Sequence, residues 1–261
     1  MVLAVLAGAL VLPAACTVLE DRTKCECSLT LHFERARPGE LYWMMVSDVP
    51  GREARYGVLE EGESLLDLEL GRGNWNLLCV QSDSPAFLTA GGFSVKEGDA
   101  FPQLYAASLA LKVFGGEGSD TVRLHKEHAV TYVSLRDLYS TDLSYEIVGS
   151  ICGMGVDGQP LDGPFRTVLE VSERGLASVN LPRQGDSDAL RLEIYSETDS
   201  RERSARTLVR SFALDEYILA SGFDWSAPDL GDLSMEVNYT RTVVTAFPDE
   251  WHKTLDFSLS L

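Results

Sequence analysis

Residues 27–34 read CSLTLHFE. Cys27, Leu29, Leu31 and Phe33 alternate with Ser28, Thr30, His32 and Glu34. A period of two places the apolar set on one face of a strand and the polar set on the other. The same pattern continues along the chain. ELYWMMVSD (40–48), SLLDLEL (64–70) and NWNLLCVQS (74–82) follow in the first half, the last after a Gly-Arg-Gly turn at 71–73. HAVTYVSLRD (128–137), YEIVGSICG (145–153), RTVLEVSE (166–173), LASVNLP (176–182), ALRLEIYSE (189–197), TLVRSFAL (207–214), SMEVNYT (234–240) and TVVTAF (242–247) follow in the second. Turns rich in Gly, Pro, Asp and Ser separate them. The segment FPQLYAASLALKVF (101–114) is expected to be the one helix of the first half, and FGGEGSD (114–120) a loop. The fold class is therefore all-β.

The order of elements repeats. CSLTLHFER followed by LYWMMVSDVPG parallels HAVTYVSLRD followed by YEIVGSICGMG. SLLDLELGRGNWNLLCV then parallels RTVLEVSERGLASVNL. The repeat predicts two tandem β-sandwiches of residues 28–120 and 121–261; a single large sandwich is the alternative.

With 261 residues and 45% hydrophobic content, the chain has the composition of a globular protein, and its formal charge is −18. Such a surface repels phosphate backbones and anionic headgroups, so nucleic acid is not an expected partner. No apolar run reaches the ~18 residues of a spanning helix. Residues 2–12, VLAVLAGALVL, have the length of a signal-peptide core, and Leu-Pro-Ala-Ala-Cys (12–16) reads as an irregular lipobox. The expectation is a signal peptide over 1–15, acylation of Cys16 and a polar tether over 16–27. A buried N-terminal strand or helix is the alternative, and no Lys or Arg precedes Arg22. Several acyl chains hold a membrane firmly, since each buried methylene adds about 0.8 kcal/mol. In an oxidising compartment Cys25, Cys27, Cys79 and Cys152 are free to form disulfides. Cys25 and Cys27 are disfavoured as mutual partners, because i and i+2 on a strand lie about 6.6 Å apart.

The chemical motifs are weak. GMGVDG (153–158) has G-x-G-x-x-G spacing, but Pro160 and Pro164 prevent the helix start that a dinucleotide site requires. A glycine-rich hairpin fits better. His125 and His128 in HKEHA have a zinc-like spacing, yet on a strand they face opposite sides. No metal or cofactor is expected. No G-x-S-x-G or H-E-x-x-H motif is present, and no residue constellation supports a glycosidase, so the chain reads as non-enzymatic. SETDSRERSAR (196–206) reads as a solvated hairpin tip, and NYT at Asn238 as strand sequence. TLDFSLSL (254–261) places Leu255, Phe257, Leu259 and Leu261 on one face. It is either the last strand of its own domain or a strand donated to a neighbouring subunit.

Several stretches together resemble the Bacteroidales-type fimbrium anchor lipoproteins. They are CTVLEDRTKCECSLTLHF, with Asp21, Arg22, Cys25, Cys27 and Leu29; LHKEHAVTYVSL; NLPRQGDSDALRLEI, with Leu181, Pro182, Arg183 and Gln184; and LDEYILASGFDWSAPDLGDLSMEVNYT, with Tyr217, Ile218, Gly222, Asp224 and Trp225. The resemblance implies two transthyretin-like Greek-key sandwiches and a lipid-anchored, surface-exposed place at the fimbrium base on the outer membrane. It also implies a shaft subunit (pilin) as strand-exchange partner, and control of shaft length by ending subunit addition. The rival reading is a glycan-binding or adhesin lipoprotein of the same architecture. Trp43, Trp75, Trp225 or Trp251 would then stack on sugars, although core packing is the default for each.

Overall fold

The computed structural model describes residues 26–248, apart from 35–36, 49, 52, 83–87, 90, 137–142, 186–189, 201–202 and 241–242. The first half contributes β1 (Glu26–Glu34), β2 (Leu41–Ser47), β3 (Arg55–Leu59), β4 (Leu65–Gly71), β5 (Gly73–Ser82), β6 (Leu88–Thr89), β7 (Gly92–Ser94), β8 (Leu104–Val113), β9 (Glu117–Arg123) and β10 (His125–Lys126). The second contributes β11 (His128–Arg136), β12 (Leu143–Gly155), β13 (Pro160–Val168), β14 (Leu176–Pro182), β15 (Arg191–Ser200), β16 (Arg203–Ala213), α1 (Leu214–Ala220), β17 (Leu233–Asn238) and β18 (Val243–Pro248).

These strands form two sandwiches with one wiring. In the first, β4-β1-β9 faces β10-β8-β5-β2-β3. In the second, β14-β11-β17-β18 faces a sheet in which β12 lies between β13 and β15, with β16 outside β15. β1 is antiparallel to β4 and parallel to β9, as β11 is antiparallel to β14 and parallel to β17. β2 is antiparallel to β3 and β5, as β12 is to β13 and β15. Non-consecutive neighbours of this kind make each half a Greek key. The repeat is correct in its first part and one element out of register in its second. SLLDLEL and NWNLLCVQS correspond by pairing to β14 and β15, not to RTVLEVSE and β14.

The segment 101–114 is not a helix. β8 is a strand between β5 and β10. Ala107, Leu111 and Val113 point into the first core, while Leu104 and Ala106 pack with the second sandwich. A strand covered on both faces loses its alternation and reads as a continuous apolar run. The loop at 114–120 is likewise half strand, because β9 begins at Glu117 and pairs with β1. A cut between 120 and 121 falls inside β9, whereas the hydrogen-bonded sheets change over between Lys126 and His128. The helix that does form, α1, has Asp215 and Glu216 in its first turn, which complements the helix dipole. Gly222, at φ +82°, closes it two residues after Ala220.

The halves are joined by more than a linker. Between β5 and β8 the chain leaves its own sheet, and β7 pairs antiparallel with the end of β12. Gly92 lies at φ +137°, and a Cβ there would stand 2.2 Å from the Met154 carbonyl oxygen. A Cβ on Gly153 would stand 1.9 Å from that of Phe93. Only glycine permits this approach. Met44, Leu78, Val80, Phe93, Phe101, Leu104 and Ala106 complete a core whose other buried members come from the second half.

Candidate functional site

β1 fills the groove of the first sandwich. Its alternation sends Cys27, Leu29, Leu31 and Phe33 inward, and all four are buried. They meet Leu68 and Leu70 of β4 and Val122 of β9, with Trp43, Met45, Leu77 and Cys79 in the same core. Burying side chains of this size stabilises by on the order of 1.5–3 kcal/mol each. Thr30 Oγ1 donates to Asp67 Oδ1 at 2.6 Å on the outer face. The N-terminal end of β1 lies beside Gly71 and Glu117, at the end of the molecule away from the second sandwich.

A buried clamp lies where the sandwiches meet. Glu127 follows β10 and Arg183 follows β14. Arg183 Nε reaches Glu127 Oε2 at 2.5 Å. Its Nη1 donates to the carbonyls of Trp225 and Ala227, the second at 2.8 Å, and its Nη2 to that of Pro228 at 3.2 Å. Lysine has no such planar fork and could not serve four acceptors in this geometry. Burial pushes the Glu127 carboxyl up, and the Arg183 hydrogen bond and charge offset only part of that. Around the clamp, Lys126 pairs with Asp232, whose Oδ1 also accepts from Val130 N at 3.0 Å. Asp229 Oδ1 accepts from Lys126 N at 2.8 Å, and this bond is the main reason its carboxyl lies below the usual range. His128 is buried, with Nδ1 3.0 Å from the Leu104 carbonyl oxygen, and His125 Nδ1 is 3.4 Å from Asp229. Three of the stretches that carry the resemblance, LHKEHA, NLPRQ and FDWSAPD, thus converge on one guanidinium.

A second network covers the outer face of the β12 sheet. Glu146, 2% exposed, is held between Arg166 and Arg206. Burial alone would raise its carboxyl; the hydrogen bonds from Arg206 and Arg166 outweigh burial and hold it below the usual range. Arg206 lies over the Tyr195 ring at 4.6 Å, and Tyr195 Oη donates to Glu193 at 2.5 Å. Arg166 Nε also reaches Glu97, in the first half, at 3.3 Å.

Most of these polar groups are partnered within the two networks, while His125 Nδ1 and Gln184 Oε1 are buried without a hydrogen-bond partner. Among the described residues no three His, Cys, Asp or Glu side chains converge as metal ligands. GMGVDG starts no helix, as its prolines require: Gly153–Gly155 end β12, and the chain then turns back, with Gly155 N donating to Gln159 O at 2.7 Å and β13 starting at Pro160. Of the run at 196–206, residues 196–200 and 203–206 pair as the ends of β15 and β16, with Ser200 opposite Arg203. Cys27, Cys79 and Cys152 are buried free thiols, and burial raises the Cys79 thiol strongly. Trp43, Trp75 and Trp225 are core residues. Cys16, Cys25, Trp251 and the strand candidates Leu255, Phe257, Leu259 and Leu261 lie outside the described residues. Sequence reading missed the Arg183–Glu127 pair; a lone Arg after Leu-Pro and a Glu between two His give no signal until the sheets bring them together.

Comparison with solved structures matches this architecture. A protein of Bacteroides thetaiotaomicron described as polysaccharide-binding is 15% identical, with 87% of this chain and 97% of that one covered and a TM-score of 0.57. The fimbrial anchor protein Mfa2 of Porphyromonas gingivalis is 12% identical, with 87% and 98% covered and the same TM-score. An adhesin-type protein of Bacteroides thetaiotaomicron is 12% identical, with 86% and 96% covered and a TM-score of 0.51. At these identities the likeness is one of fold: an all-β, sandwich-built protein. No protein-family model and no curated protein matches the chain.

Proposed function

We propose that this chain is a non-enzymatic fimbrium anchor, held at the outer membrane by acyl chains on Cys16 and joined to the shaft by strand exchange. The carrying observation is the seat of β1. β1, the first strand of the described chain, occupies the groove between β4 and β9, so while it stays in place the first sandwich has no groove left to accept a neighbour's strand. A subunit that donates but does not accept joins last and ends growth. The fold it shares with Mfa2 supports the same reading. Residues 254–261 are the donor under this proposal, with Leu255, Phe257, Leu259 and Leu261 as the inserted face. Deleting 254–261 should release fimbriae into the medium while the shortened chain stays folded in the membrane. If the shortened chain still holds its shaft, the donor reading fails.

The equal likeness to the polysaccharide-binding protein favours a second reading, a surface glycan-binding lipoprotein. The three described tryptophans are buried, which leaves that reading without an indole platform among the described residues. Affinity purification from native outer membrane separates the two: a ladder of shaft subunits supports the anchor, and the protein alone with bound glycan overturns it.

A further inference from the structure

The two ends of the described chain are paired in opposite ways with respect to tension. β1 is a central strand, with seven residues registered antiparallel on β4 and seven parallel on β9. β9 is the strand that leads onward to the second sandwich, through Leu124 and β10. Because β1 and β9 are parallel, the N-terminal end of β1 and the C-terminal end of β9 lie at opposite ends of the pair. A pull on residue 26 against the second sandwich therefore acts along the strand axis. It loads the ladders on both sides of β1 at once, and the buried Cys27, Leu29, Leu31 and Phe33 resist sliding.

The other end differs. β18 is antiparallel to β17, with Pro248 opposite Leu233, and β17 is parallel to β11 with Leu233 opposite Thr131. Pro248 thus lies at the end of the second sandwich where β11 enters from the first. A pull on the C-terminal side, away from the first sandwich, must turn back along β18 and open its ladder one bond at a time.

We infer that β1 is a shear clamp: the protein bears load at its N-terminal attachment by locking β1 between β4 and parallel β9, while β18 is a peelable strand that yields first on the other side. Tension would then lengthen the molecule on its C-terminal side before the N-terminal attachment gives. The inference depends on the fimbrial reading only for the source of the load. A pulling experiment on isolated molecules tests it independently of fimbriae or lipid.

The experiment is single-molecule force spectroscopy on the full chain, with handles at both termini. The expected record has a low-force event that lengthens the chain by roughly 20 Å as the six residues of β18 leave. A later event releases roughly 300 Å, the span of residues 26–123 at full extension. Its force should be at least about two-fold higher, because ladder bonds break together rather than singly. Thr30→Pro removes a ladder donor from the middle of β1. It should lower the 300 Å event and leave the β18 event unchanged. Since a proline in a central strand can prevent folding, the wild-type chain is also pulled with one handle moved to Pro38, beyond β1. The high-force event should then disappear. If it persists from Pro38, or if no event exceeds the β18 force when the termini are pulled, β1 is not a clamp.

Discussion

Removing the Arg183 guanidinium would leave Glu127 buried and the carbonyls of Trp225, Ala227 and Pro228 without their donor. Breaking a buried ion pair from one side typically costs about 3–5 kcal/mol. Arg183→Met should lower stability by about that much in urea titration. The double variant Arg183→Met with Glu127→Gln should recover part of the loss, because the unpaired charge goes too. Glu146 provides a pH test with a definite sign. Its folded carboxyl lies below the ordinary range, so its contribution is complete above the unfolded pKa of ~4.3 and fades as pH falls through the folded one. The stability gap between wild type and Glu146→Gln should therefore be constant near neutrality and shrink on acidification below pH ~4.3. A gap that widens in acid would contradict the Arg166–Glu146–Arg206 pairing. Neither network was legible beforehand. Forty acidic residues against twenty-two Lys and Arg offer many pairs, and spacing along the chain does not select among them.

At the level of single elements, period-two alternation identified strands with one buried and one wet face. β1, β4, β14 and β17 are of this kind. It also placed a strand over 166–173, of which only 166–168, the end of β13, is strand. It failed for β8, which packs on two cores, and for α1, which is short and follows directly from β16. For α1 the acidic first turn and Gly222 were available as start and stop signals. The groove position of β1 makes a quantitative claim at this scale. Leu31 is fully buried between the sheets, so Leu31→Ala should cost about 2–5 kcal/mol by urea titration. Thr121→Ala, on an exposed position of the neighbouring β9, should stay within about 0.5 kcal/mol of wild type. Similar losses at both positions would mean that β1 does not seal the first core.

For the whole molecule the deciding feature is the crossing of β7 onto β12. It makes two Greek-key units share a core, so urea unfolding of the wild-type chain should be a single cooperative transition. Gly153→Val sets side-chain atoms against the Phe93 carbonyl and should pry β7 away, separating that curve into two transitions. One unsplit transition at unchanged midpoint would show that β7 is dispensable to the union. The sequence by itself determined that the chain is all-β, that its strand pattern repeats, and that GMGVDG leads into a hairpin turn rather than a nucleotide loop. Each of these depends on local alternation, glycine and proline chemistry. Only the tertiary structure decided that β4 and β5 match β14 and β15, that 104–113 is a strand, that Arg183 joins three distant segments, and that β1 lies parallel to β9. Those are matters of which face meets which, set by burial across long separations that no local spacing encodes.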